Sequence, residues 1–249
     1  DEKPLLNGTR LTDFDGDGNG EILATTGRQW TVLEHTNSGF VPKFRLDNPT
    51  AQTGRDSALG NAFDTPAAQT GDFDADGRRD LLVGDRDGDV IVYEATGTED
   101  MTVAWTHETD RVDAGNRFAA GDIMSGGGRE FVTMTTYPPF PNENGESAPQ
   151  LSVYSIWTST GDNSYERVYT LPVAGPYTDY GSMTTADLDG DDLQEVAIAH
   201  APSLLVLDWQ QGQWQVLHEH TRAPPLQSRG LVVADFSGSG RPSLVAETA

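Results

Sequence analysis

The chain has 249 residues, 36% of them hydrophobic, with 39 acids against 16 bases and a formal net charge of −23. Its length suits one all-β domain with a substantial core, and its charge argues against nucleic acid or an anionic membrane as partner. Cysteine is absent, which excludes disulfides, thiolate metal sites and cysteine catalysis, and no apolar run approaches the length of a membrane span.

In chain order, short strands and tight turns recur. Each unit begins with a small-residue strand that runs into a nine-residue acidic loop. These first strands are Thr9–Thr12, Ala67–Gly71, Phe118–Gly121, Ser182–Ala186 and Leu231–Ala234. A second strand follows the loop directly: Glu21–Thr25, Asp80–Gly84, Glu130–Thr135, Glu195–His200 and Ser243–Ala246. In the first four units a hairpin comes next: Gln29–His35 with Phe40–Leu46, Val90–Ala95 with Met101–His107, Leu151–Trp157 with Tyr165–Leu171, and Leu204–Trp209 with Gln213–His220. The runs are β-branched and aromatic and are bounded by turn residues, as strands should be.

The acidic loops start at residues 13, 72, 122, 187 and 235. A period of about 50 to 65 residues is too long for a helical-pair solenoid and fits a four-stranded propeller blade with its loops. The expected fold class is therefore an all-β β-propeller with four-stranded antiparallel blades, spanning residues 1–249 as one domain. Five first-and-second-strand units stand against four hairpins. That mismatch favours a piece of a larger propeller or multidomain protein.

Three loops are intact: Asp13–Glu21, Asp72–Asp80 and Asp187–Glu195. Carboxylates this close repel unless a cation sits among them. Acids at positions one, three, five and nine, with a main-chain carbonyl at seven, can wrap one hard cation in oxygen ligands. The ligand sets read from the chain are Asp13, Asp15, Asp17, Asn19 and Glu21; Asp72, Asp74, Asp76, Arg78 and Asp80; and Asp187, Asp189, Asp191, Leu193 and Glu195. Asn19, Arg78 and Leu193 contribute carbonyl oxygens. Many flexible oxygens suit calcium better than magnesium, which prefers a small octahedron that keeps several waters. About three calcium ions are expected. Position six is Gly18 and Gly77 in the first two loops but Asp192 in the fourth repeat. Asp122–Glu130 and Asp235–Ser243 have decayed: Met124 and Gly126 cannot ligate by side chain, and Ser237, Ser239 and Ser243 are neutral. An EF-hand is excluded, because position twelve is Ala24 or Val83 and the flanks read as strands. Gly84–Asp89 falls out of phase with the loops and reads as a tight turn.

The chain resembles the FG-GAP/VCBS repeats of integrin-α-type β-propellers, whose calcium loop reads D-x-[DN]-x-[DN]-G-x-x-[DE]. Asp13–Glu21 and Asp72–Asp80 match it in full, Asp187–Glu195 at all but Asp192. An aromatic–glycine pair precedes the first strand of a blade in that family. Here Tyr180-Gly181 fits, and Phe63 and Phe118 keep the aromatic. The resemblance covers essentially the whole chain. It implies a calcium-stabilised scaffold that is secreted, on the cell surface or periplasmic, and that binds protein or carbohydrate.

No G-x-S-x-G, H-E-x-x-H or G-x-x-x-x-G-K-[ST] pattern occurs, and no residue is assigned a catalytic role. The long connections Asp47–Pro66, Tyr137–Pro149, Pro172–Tyr180 and Thr221–Arg229 all leave the same end of the blades, the usual place for binding loops. Phe63, Tyr137, Phe140, Tyr177 and Tyr180 offer aromatic plates for a sugar face or peptide side chain, with Arg55 and Arg117 for polar contacts. The expected function is a non-catalytic binding or adhesion scaffold. The alternatives are a propeller-based polysaccharide lyase or hydrolase, or a docking subunit of a larger assembly. For the enzyme, Arg55, Asp56, Tyr177, Asp179 and Tyr180 form the nearest candidate group.

Overall fold

A computed structural model describes residues 7–12, 19–25, 29–51, 68–85, 88–97, 100–108, 117–126, 128–137, 150–175, 181–200, 203–221, 230–238 and 240–246. Among the described residues, four antiparallel four-stranded sheets and one strand pair account for the regular structure. The first sheet is β1 (Asn7–Thr12), β2 (Glu21–Thr25), β3 (Gln29–Thr36) and β4 (Gly39–Asp47). The second is β5 (Gln69–Gly71), β6 (Asp80–Gly84), β7 (Val90–Ala95) and β8 (Met101–His107). The third is β9 (Phe118–Gly121), β10 (Glu130–Tyr137), β11 (Gln150–Gly161) and β12 (Ser164–Gly175). The fourth is β13 (Ser182–Ala186), β14 (Glu195–His200), β15 (Ser203–Gln210) and β16 (Gln213–Thr221). β17 (Leu231–Ala234) and β18 (Ser243–Ala246) form the pair. Among the described residues there is no helix, and so none long and apolar enough to cross a membrane.

Strand order follows chain order in every sheet, so each acidic loop is the turn between its first and second strands. The third sheet departs from expectation. Its hairpin was expected as Leu151–Trp157 with Tyr165–Leu171, but β11 and β12 each run for 12 residues. Pro172 therefore lies inside β12 rather than opening a connection. β12 is an edge strand, where a residue without an N–H costs no ladder bond.

The described residues fall into two compact units, Asp1–Asn116 with Gly161–Ser164, and Arg117–Thr160 with Tyr165–Ala249. The core of the first gathers Leu23, Trp30, Val32, Leu81, Val83, Ile91 and Tyr93. The core of the second gathers Ile123, Val132, Met134, Tyr154, Ile156, Val196, Ile198 and Leu207. All five residues of β6 and all six of β14 are buried, so these second strands are covered on both faces. Each large aliphatic side chain buried this way contributes about 1.5–3 kcal/mol. Inside the second unit the sheets meet through their first strands, where the Thr185 hydroxyl donates to the Ala120 carbonyl at 2.8 Å.

Gly181 precedes β13 in a left-handed conformation, φ +61°. A Cβ there would lie 2.4 Å from the Tyr154 hydroxyl, which itself pairs with His200 Nδ1 at 2.8 Å. Gly181→Ala is expected to cost about 2–3 kcal/mol from backbone strain and the displaced buried pair, read as a lower midpoint in urea unfolding. An unchanged midpoint would show that the pair is not held by this contact.

Candidate metal centres

Most of the first loop, residues 13–18, lies outside the described residues, so its acids Asp13, Asp15 and Asp17 are not placed. Its last acid, Glu21, opens β2 and is fully buried. The second and fourth sheets show the loop complete. In the second, Asp72, Asp74 and Asp80 each present an oxygen within 4.8 Å of the others, and in the fourth Asp187, Asp189 and Glu195 do the same.

The loops hold themselves by main-chain N–H groups donating to their own carboxylates. In the second sheet Asp76 N–H donates to Asp72 Oδ1 at 3.1 Å, Gly77 N–H to Asp72 Oδ2 at 2.9 Å and Arg78 N–H to Asp76 Oδ1 at 2.7 Å. In the fourth, Gly190 N–H donates to Asp187 Oδ1 at 2.6 Å, Asp191 N–H to Asp189 Oδ1 at 3.2 Å and Leu193 N–H to Asp191 Oδ1 at 2.9 Å. Both loops take a left-handed residue at positions four and six. These are Ala75 (φ 62°) and Gly77 (φ 87°) in the second sheet, and Gly190 (φ 91°) and Asp192 (φ 75°) in the fourth. Asp192 thus occupies a glycine conformation and adds a carboxylate to a crowded loop. Asp192→Gly is expected to stabilise the ion-free chain by about 1 kcal/mol, relieving strain and repulsion together. A melt in chelator would show the gain as a higher midpoint, and no gain would mean the aspartate is unstrained.

The ninth-position acid is the part of each site that the protein interior controls. Asp80 is 1% exposed and Glu195 0%. Phe73 N–H donates to Asp80 Oδ2 at 2.7 Å, and Leu188 N–H to Glu195 Oε2 at 2.5 Å. The second oxygen of each, Asp80 Oδ1 and Glu195 Oε1, is buried with no hydrogen-bond partner among the described residues. Burial pushes the Asp80 carboxyl up to about 7, with the Asp74, Asp72 and Glu94 charges adding to the Phe73-opposed shift. Burial likewise raises Glu195 to about 7, reinforced by Asp189, Asp208 and Asp187. An orphaned buried carboxylate oxygen facing two further carboxylates fits a hard cation with oxygen ligands.

The decayed third loop provides the contrast. Glu130 Oε2 accepts from the N–H groups of Ile123 and Met124, both at 2.9 Å, and Thr158 Oγ1 donates to Oε1 at 3.2 Å. Both its oxygens are satisfied without an ion. Burial raises its carboxyl, and these donors pull it back. The fifth loop keeps the fold of the intact ones: Gly238 and Gly240 are left-handed at positions four and six, and Gly240 N–H donates to Asp235 Oδ2 at 2.6 Å. It keeps Asp235 but has serine at positions three, five and nine.

Two features of the second site were not read from the sequence. Arg78, expected to act through its carbonyl, sends its guanidinium to Glu94 at 2.8 Å and Asp76 at 3.4 Å. Asn163, from the β11–β12 turn and counted in the same compact unit, donates its N–H to Asp74 Oδ2 at 2.7 Å and its amide to Glu94 Oε2 at 3.3 Å. Neighbouring Asp162 joins Asp74, Asp76 and Glu94 as a second acid group. At the described ends of Gly84–Asp89, Asp89 N–H donates to Asp85 Oδ1 at 2.9 Å; Arg86 and Asp87, at the centre of the expected turn, lie outside the described residues. Of the expected ligand-face residues, Arg55, Phe63, Phe140, Tyr177 and Tyr180 lie outside the described residues, as do Asp56 and Asp179. Tyr137 ends β10, and Arg117 immediately precedes β9.

No protein-family model matches the chain, and no curated protein matches it in sequence. Solved structures do match in fold. The exotype rhamnogalacturonan lyase YesX is similar over 93% of this chain and 47% of its own, with a TM-score of 0.51 and 16% identity. The Bacillus licheniformis rhamnogalacturonan lyase PL11 is similar over 98% of this chain and 58% of its own, with a TM-score of 0.51 and 13% identity. The rhamnogalacturonan lyase YesW gives 97%, 53%, 0.50 and 14% in the same order. The chain spans about half the length of these structures, and the likeness is one of fold.

Proposed function

We propose that the chain is a calcium-stabilised β-propeller module of the FG-GAP/VCBS kind, working outside the cell as a scaffold that presents loops to a carbohydrate ligand. One observation carries the metal reading: in two loops with the same backbone, the ninth-position acid is buried with an oxygen left for a cation. Repeated four-stranded antiparallel sheets with the loop always between the first two strands support the propeller. Native mass spectrometry with and without chelator tests the proposal. Three bound calcium ions are expected at millimolar supply, and zero or one would end it.

A second reading, a polysaccharide lyase, is supported by the fold shared with three rhamnogalacturonan lyases over most of this chain. Incubation with rhamnogalacturonan would then produce unsaturated uronic ends, seen as rising ultraviolet absorbance. Binding without any such rise supports the non-catalytic scaffold.

A further inference from the structure

The register of the sheets places a second acid beside the last acid of each intact loop. β6 and β7 pair Asp80 with Glu94. Ile22 pairs with Leu33, which sets Glu21 beside Glu34, and Val196 pairs with Leu207, which sets Glu195 beside Asp208. Directly opposite residues of an antiparallel pair share a face, and like charges there are destabilising. Asp80, Glu94, Glu195 and Asp208 are all at least nine-tenths buried, so the repulsion is poorly screened. The third sheet, whose loop has decayed, breaks the pattern. Phe131 pairs with Trp157, so Glu130 faces Thr158, a hydroxyl that donates to it. An acid on the third strand therefore accompanies an intact loop, and a neutral donor accompanies a dead one.

A repeated irregularity marks the same place. The first, second and fourth sheets carry a bulge at Val32/Leu33, Val92/Tyr93 and Val206/Leu207. Each bulge ends one residue before Glu34, Glu94 or Asp208. Bulges re-aim the side chains beside them.

The three acids differ in what balances them. Lys43 Nζ lies 3.5 Å from Glu34, and the Arg78 guanidinium 2.8 Å from Glu94. Position seven of the fourth loop is Leu193, which brings no base. Asp208 is 1% exposed; the Trp209 main chain and the Gln210 side chain hydrogen-bond to it, but its Oδ2 has no partner among the described residues, and the loop acids Asp189 and Asp191 act on it electrostatically.

We propose that in the second and fourth sheets the third-strand acid belongs to the cation site, and that Asp208, which no base among the described residues offsets, makes the Asp187–Glu195 loop the tightest of the expected calcium sites. Calcium sites tune affinity by ligand charge count. An unbalanced buried carboxylate beside the cation raises that count, and a guanidinium on the equivalent acid lowers it. The inference rests on the calcium reading above and adds a residue outside the nine-residue loop.

Calcium titration of the full chain by calorimetry, with native mass spectrometry counting ions, tests it. Asp187→Ala is expected to remove the tightest binding step. Asp208→Asn should weaken that step about tenfold while leaving the ion count unchanged, as a change in charge beside the ligands predicts. Leu193→Arg should do the same without touching a ligating side chain, and it decides the matter where Asp208→Asn does not fold. Arg78→Leu should tighten the second-sheet site. Three ions bound with the tightest step unmoved by both Asp208→Asn and Leu193→Arg would overturn this inference and leave the calcium reading standing. No ion bound to the unaltered chain would overturn both.

Discussion

Chelating calcium is expected to lower the melting temperature by about 10 °C, with most of the loss traced to the loops Asp72–Asp80 and Asp187–Glu195. At about 10- to 100-fold excess over its dissociation constant, an ion adds about 1.4–2.7 kcal/mol per site. Two sites then contribute about 3–5 kcal/mol, and in a chain of this size each kcal/mol moves the midpoint by about 2–4 °C. The effect belongs to particular residues. Asp74→Ala removes a carboxylate that lies within 4.8 Å of both Asp72 and Asp80, and should reproduce part of the loss in calcium buffer. Asp122→Ala alters a loop whose Glu130 is already satisfied by two N–H groups and a hydroxyl, and should leave the midpoint where it was. Equal losses from the two substitutions would show that the third loop still holds an ion.

Asp80→Asn is expected to change sign with calcium. In calcium buffer it removes a charged ligand and should lower stability by about 2 kcal/mol or more. In chelator it removes a buried charge that Asp72, Asp74 and Glu94 all repel, and should raise stability above that of the unaltered chain. The pH dependence follows from the same group. Its carboxyl is raised from 3.8 to about 7 in the folded chain, so between these values the folded state holds a proton that the unfolded state has released. Stability of the ion-free chain therefore falls as pH rises from about 4 to 7, and the loss is complete above that. Thermal melts at pH 5 and pH 8, in chelator and in calcium, read both effects. A variant that is less stable in all four conditions would show that Asp80 is held by hydrogen bonds alone.

Much of the sheet framework was legible because the acidic loops anchor it. A loop that ends on a buried acid fixes where the next strand begins, and β2, β6 and β14 start and stop where the sequence put them; β18 does so too, although its loop ends on the exposed Ser243. The third hairpin was less legible. The expected strands stop at Trp157 and Leu171, yet cross-strand pairing carries them on through Thr158–Gly161 and Pro172–Gly175, and the edge position tolerates the proline. The site divided along the same line. The nine-residue acid pattern is local and is read directly from the sequence. The Glu94 and Asp208 partnerships depend on register across two strands, and Asn163 reaches Asp74 from 89 residues further along the chain. No local pattern encodes such a meeting.

The left-handed pair at positions four and six occurs in loops rich in acids and again in the fifth loop, where serines replace them. The curl of the backbone is thus separable from most of the charge of the acidic loops. In the fifth loop the turns rest on Asp235, which accepts from the N–H groups of Ser237 and Gly240, so the curl persists where the first acid alone is kept. The same independence makes the fifth loop a ready graft site. Ser237→Asp, Ser239→Asp and Ser243→Asp together rebuild the missing acids on a curl already in place.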